Sequence, residues 1–258
     1  MLSASRKKEV ARIVLRALDK AESIWDRLGP TMDEDIFARA DDMGKAERVP
    51  SRIPGHKEVE AGKEQVGTFI ALVADMRNSS QHLLCAIAGD RPSELKRVFY
   101  ETSALLPALE QTIQYEGGSV TEYLGDGLLA LFEVNEIDKK PAITAAYTAA
   151  ANCLDDTRAV VNEALDGRYN LPPLDIGIGM ALSKAAVSLV GIEGNSHDKL
   201  IGRCVYFATK LAVGKNEIFV DEQLRTAWPI TKGGKLTFDK RHGRSSVGGY
   251  LINRESRD

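Results

Sequence analysis

A chain of 258 residues with 34 Lys and Arg against 37 Asp and Glu carries a formal charge of −3, which excludes a strong global field for nucleic acid or an anionic membrane. Hydrophobic residues at 43% and charged residues at 28% suit a soluble globular protein. No apolar run approaches the roughly 18 residues of a membrane span, and the opening MLSASRKKEVAR lacks a signal core, so a cytoplasmic protein is expected.

Residues 6–28 predict an amphipathic helix, with Val10, Ile13, Val14, Ala17, Ala21, Ile24, Trp25 and Leu28 on one stripe, stopped by Gly29-Pro30. That stripe suits either packing within the chain or dimerisation. Residues 30–64 are charged and hold Pro50, Pro54 and Gly55, which predicts a linker with a short helical piece. Val66–Ala74 is a continuous apolar run ending at Asp75 and reads as a buried central strand. Residues 78–89 read as helical, and Pro92 opens a longer helix to about 115, closed by Gly117-Gly118. Ser119–Leu124 and Leu128–Phe132 flank Gly125-Asp126-Gly127, a hairpin with a carboxylate at its tip. An Ala-rich helix follows over 138–165. Leu174–Leu182 and Ala185–Gly191 read as the two strands of a second hairpin, 202–213 as a helix, and 217–220 as a strand; the tail from Trp228 to Asn253 has broken strand character. From Val66 the order is βαββαβ with additions, an α+β fold on the ferredoxin-like split-βαβ plan. The expected division is a helical extension and linker over 1–63 and a catalytic domain over 64–258.

In that topology the first strand lies beside the hairpin, so Asp75 and Asp126 meet at one rim. Two carboxylates there repel unless a cation lies between them, and hard oxygen donors favour Mg²⁺ or Mn²⁺. The MRNSS turn after Asp75 offers backbone N–H groups to an anion. Carboxylates beside such a turn point to a nucleoside triphosphate. Taken singly, Asp75 also reads as a helix cap and Asp126 as a turn residue.

Four blocks in order resemble the class III nucleotidyl cyclases, the adenylate and guanylate cyclase catalytic domain. FIALVADMRNSS (69–80) resembles the first metal strand and phosphate loop, usually FADIRGFT. GGSVTEYLGDGLLALF (117–132) resembles the second metal hairpin, LDIGIGMALSKAAVSLVG (174–191) the GIHxG strand pair, and LIGRCVYFATKLA (200–212) the IGDxVNxAARL helix. The resemblance implies a homodimer with active sites at the interface. It implies that Asp75, Asp126 and the Met76 carbonyl hold two divalent ions, Mn²⁺ or Mg²⁺. It also implies that the amides of Arg77, Asn78, Ser79 and Ser80 cradle the triphosphate.

The departures carry information. Where the family places an Asn for the ribose and an Arg for the transition state, this chain has Tyr206 and Lys210. At the base-reading positions it has Glu122, where adenylate cyclases have Lys, and Lys199, where a guanine reader has a small polar residue. Neither purine set is complete. In this the chain resembles the bacterial antiphage pyrimidine cyclases, the uridylate type above all. The implied activity is UTP to 3′,5′-cyclic UMP and pyrophosphate, as a signal to a separate effector. The alternatives are an adenylate or guanylate cyclase and an inactive cyclase-like module.

The remaining residues read plainly. Cys85, Cys153 and Cys204 are an odd, scattered set and read as reduced thiols. His82 and His197 have no partner spacing, and Lys96 and Arg97 read as solvated charges on the long helix. Lys235 and Lys240 are open as phosphate contacts.

Overall fold

The computed structural model describes residues 1–28, 48–60, 63–84, 92–192, 195–230, 235–242 and 247–254. The short helical piece expected in the linker and Cys85 lie outside them.

The apolar run becomes strand β3, Gln65–Met76, the centre of an eight-stranded sheet. Successive side chains of a strand point to opposite faces, and here both faces are covered. Ile70, Leu72, Ala74 and Met76 join one buried cluster, and Phe69, Ala71 and Val73 another. This is why the run shows no polar alternation.

On the first face lie helix α1 (Ala4–Leu28), helix α3 (Glu94–Gln114), and helices α4 (Lys140–Asn152) and α5 (Arg158–Tyr169). A π-helical turn, Cys153–Thr157, joins the last two into one rod where the sequence predicted a single helix. The buried stripe of α1, Val10, Val14, Leu18 and Ala21, is spent inside the chain against α3 and α5, which answers for packing rather than dimerisation. Polar ties fix it there: Arg6 reaches Glu116 at 3.0 Å, and Arg168 reaches Asp19 at 2.7 Å.

Strands β4 (Ser119–Leu124) and β5 (Gly127–Glu133) form the predicted hairpin. The second predicted hairpin is drawn differently. Ile176–Ile192 is one strand of 17 residues, β6, and its partner is β7, Asn195–Gly202. The Ser183-Lys184 junction read as a turn stays extended because β3 pairs with β6 straight through it, Phe69 opposite Ser183 and Thr68 opposite Lys184. Helix α6, Arg203–Leu211, follows. Strand β8 (Ile218–Val220), a short helix α7 (Glu222–Ala227) missed in the sequence, and strands β9 (Thr237–His242) and β10 (Gly248–Asn253) complete the chain.

The sheet order is β4-β5-β3-β6-β8-β10-β9. Its first four strands are the split-βαβ core in the expected order, and the last three extend it beyond β6. The second face is covered by α6 and by the residues between β1 (Arg48–Pro50) and β2 (Glu58–Glu60), an antiparallel pair in the stretch read as linker. Ile53 and Val59 bury there beside Phe69.

Candidate active site

The β3–β5 register places Asp75 opposite Gly127, one residue past Asp126. Gly125 has φ +71° and begins a two-residue turn, the left-handed first position that glycine fills without steric cost. Met76 donates its N–H to the Asp126 carbonyl at 3.3 Å, so the two turns are joined by main chain. A side chain at Gly127 would sit 2.9 Å from Asp75 Oδ1 and 2.7 Å from the Ala74 carbonyl, so the glycine leaves room for the carboxylate.

Burial and then the Asp126 charge push the Asp75 carboxyl up to about 6, against the pull of Arg77. Arg77 donates from one guanidinium nitrogen to Asp75 Oδ2 at 2.6 Å and to the Ala212 carbonyl at 2.8 Å. Thus a cation already leans on this pair, and it ties the rim to the end of α6.

The two carboxylates fit a divalent ion. They are hard donors, they repel each other, and their charge is only partly met by Arg77. Among the described residues, no group of three or more His, Cys, Asp or Glu is placed to hold a metal ion. A Mg²⁺-type site needs only one or two protein carboxylates and leaves the rest to substrate phosphates and water. A further carboxylate on this rim, Asp175, is already engaged. Against the cost of burial, hydrogen bonds from Asn216 and Lys215 hold it below the usual range.

The turn that follows corrects one expectation. The Arg77 N–H is committed to the Asp175 carbonyl at 2.8 Å, so Arg77 offers its guanidinium rather than its amide. Asn78 takes φ +63°, where the family loop has glycine; Asn is among the few residues that tolerate this region. Its carbonyl accepts from Gln81 and His82, starting helix α2, Ser79–Leu84. Asn78 and Ser80 are exposed and Ser79 half-buried.

Glu122 and Lys199 meet although 77 positions apart, with Lys199 Nζ 2.7 Å from Glu122 Oε2. A β-bulge between Val120 and Glu122 re-aims the glutamate. The β6–β7 arm brings the lysine, held over the sheet by Leu200 and Val187 in the second buried cluster. Ser51 secures the same arm through Asp198 at 2.8 Å.

Tyr206 and Lys210 lie on the exposed side of α6, one turn apart, with Lys210 Nζ 5.8 Å from the Tyr206 ring centre. Cys204, Ala208 and Leu211 hold the opposite side. Lys240 stacks on Tyr250 at 5.9 Å, and His197 is exposed on β7. Lys235 borders a cavity of about 770 Å³ that is lined by neither Asp75 nor Asp126, nor by Glu122, Lys199, Tyr206 or Lys210. Cys153 and Cys204 are buried free thiols. Lys96 lies over the Tyr100 ring at 5.5 Å. Arg97 is the clear correction. It is not a solvated charge but is buried against Glu101, and His82 shares that partner.

No protein-family model matches the chain. An adenylate cyclase of Anabaena cylindrica is 22% identical over 157 residues, covering 61% of this chain and 29% of that protein, so the chain spans under a third of that relative. Among solved structures, the adenylyl cyclase CyaB from P. aeruginosa superposes with a TM-score of 0.60 at 16% identity, covering 76% of this chain and 98% of that one. The guanylyl cyclase Cya2 gives 0.58 at 18% identity, covering 74% and 92%. The guanylate cyclase domain of RhGC from Catenaria anguillulae, in complex with GTP, gives 0.52 at 15% identity, covering 74% and 98%. The chain has the fold of the adenylyl and guanylyl cyclase catalytic domains. No helix among the described residues is long and apolar enough to cross a membrane.

Proposed function

We propose that this chain is a metal-dependent nucleotidyl cyclase that converts UTP to 3′,5′-cyclic UMP and pyrophosphate. The observation that carries the chemistry is the convergence of Asp75 and Asp126 on one rim of a cyclase fold, beside an exposed turn. Asp75, Asp126 and the Met76 carbonyl are the groups to hold two divalent ions, Mn²⁺ or Mg²⁺. When bound, such ions supply positive charge at the triphosphate and acidify the ribose 3′-hydroxyl. Asn78, Ser79 and Ser80 bind phosphate oxygens through their N–H groups. Arg77, released from Asp75, meets the negative charge on the phosphates. The 3′-oxygen, its proton passing to solvent, attacks the α-phosphorus in line, the bond from that phosphorus to the α,β-bridging oxygen breaks, and pyrophosphate leaves. Lys210 supplies a cation to that transition state, without the forked geometry of an arginine. Tyr206 and Lys210 point outward from α6, which suits a homodimer in which each copy completes its partner's site.

Base choice rests on the Glu122–Lys199 pair. The carboxylate accepts and the ammonium donates, side by side. Glutamate stands where adenylate cyclases have lysine, which turns a donor into an acceptor at that point. The matching base then presents N–H there and C=O beside it, as uracil and guanine do. The bulk of Tyr206 favours the smaller ring. A role as a signal to a separate effector in antiphage defence rests on resemblance to the pyrimidine cyclases.

Purified protein incubated with Mn²⁺ and each of the four nucleoside triphosphates is expected to give cyclic UMP as its main product. Cyclic GMP instead would favour the guanylate reading, cyclic AMP the adenylate reading, and no product from any of them an inactive module. Reversing the pair with Glu122→Lys and Lys199→Glu together should keep the ion pair yet cut kcat/KM for UTP about 100-fold, because a site built around specific hydrogen bonds rejects a mismatched edge strongly. Equal turnover of UTP by that variant would remove the pair from base reading.

A further inference from the structure

Glu101 is the most deeply buried charged side chain near this rim, with no solvent exposure. One of its oxygens accepts from Arg97 Nε at 2.8 Å, one turn earlier on α3. The other lies 2.8 Å from His82 Nδ1. A carboxylate can only accept, so Nδ1 carries the proton of that bond. A carboxylate withdrawn from water is costly unless both oxygens are met. Here each oxygen has one partner, and the second comes from a different element, α2.

Among the described residues, helix α2 has little else to hold it. It buries no residue, and Leu83 and Leu84 are 44% and 82% exposed. Among the described residues, His82 to Glu101 is its one side-chain hydrogen bond to another element. The His82 N–H is bonded at 3.0 Å to the carbonyl of Asn78, the residue with the left-handed backbone. One residue therefore grips the turn through its main chain and the α3 helix through its side chain.

We propose that His82, locked by Glu101 and Arg97, is a positioning residue that sets the 77–80 turn for the triphosphate. This rests on the cyclase reading above. The imidazole touches no reacting atom; it fixes the turn ahead of binding, so that ordering cost is not paid when substrate arrives. Nothing in the sequence spacing of His82, Arg97 and Glu101 advertises the link except the i,i+4 step of the latter two.

The test compares His82→Asn and His82→Leu. Asparagine places an amide N–H near the Nδ1 position and can still donate to Glu101, whereas leucine cannot. Affinity for 3′-deoxy-UTP and 3′-deoxy-GTP with Mn²⁺ is measured by calorimetry, alongside KM and kcat with the matching substrates. His82→Leu is expected to raise Kd and KM by about 10–100-fold, the usual loss on removing a supporting hydrogen bond behind a site, with a much smaller change in kcat. His82→Asn is expected to recover most of the affinity. If His82→Leu melts below the assay temperature, His82→Gln, whose amide sits too far out to meet Glu101, carries the same expectation. Wild-type affinity in the leucine or glutamine variant overturns the positioning role, and so does a folded asparagine variant as weak as leucine. Failure of the wild type to bind either nucleotide, with no cyclic product from any of the four triphosphates, overturns the cyclase reading, and this inference with it.

Discussion

Asp75→Ala and Asp126→Ala should each reduce turnover by about 10³-fold or more while leaving a folded protein. The magnitude follows from the several kcal/mol of charge stabilisation that bound divalent ions give a phosphoryl transition state, at ~1.4 kcal/mol per tenfold. Folding should survive because Asp75 costs the metal-free protein stability. Its carboxyl is raised to about 6 by burial and by Asp126. Between the ordinary carboxylate range and about 6, the folded state therefore binds more protons than the unfolded one. Stability falls as pH rises through that window. Asp75→Asn removes this slope, and its melting temperature without metal at neutral pH should equal or exceed that of the wild type. Mn²⁺ should raise the melting temperature of the wild type by mass action and leave both alanine variants unmoved. A metal-induced shift that persists in Asp126→Ala would place the ions elsewhere.

That rim was legible because its signals are local. An apolar run ending in Asp75 is a strand with a carboxylate at its end, and Gly125-Asp126-Gly127 is turn chemistry. The split-βαβ order then brings them together. The Glu122–Lys199 pair was half legible. Both residues stood out by resemblance, but their meeting depends on a bulge and on a 17-residue strand that carries the arm over the sheet. Ser183-Lys184 looked like a turn, and only pairing with β3 keeps it straight. Arg97 was misread for the same reason. A charge on a helix reads as solvated until its buried partner is known, and Glu101 gave no hint of burial. Likewise, Val49 to Val59 read as linker because Pro50, Pro54 and Gly55 interrupt it, yet Ile53 and Val59 cover Phe69. Periodicity reports which face of an element is apolar. It does not report which distant element covers that face.

Gly179→Ala should be the most disruptive glycine-to-alanine change among the described residues. Gly179 is the fourth residue of β6, opposite Val73 on one side and Phe219 on the other. The sequence shows it only as one glycine in an alternating strand, and glycine there marks close backbone approach. The approach is that of α6. An added Cβ would stand 2.1 Å from the Ala208 carbonyl oxygen, 2.5 Å from the Ala212 nitrogen and 2.8 Å from the Leu211 carbonyl carbon. All three are main-chain atoms, so no side chain can rotate away and the helix must lift. Overpacking of this kind costs about 1–3 kcal/mol. The helix that lifts also carries Tyr206 and Lys210 and ends at the carbonyl that Arg77 grips. Activity should therefore fall further than stability accounts for. At a temperature where the variant is fully folded, kcat/KM is expected to drop about 100-fold, as small misplacements of catalytic groups do. Gly248→Ala is the control, since a Cβ there meets nothing within 4 Å; it should match the wild type in denaturant midpoint and rate. If Gly179→Ala matches it too, α6 does not rest on the β6 backbone, and the outward placement of Tyr206 and Lys210 loses its support.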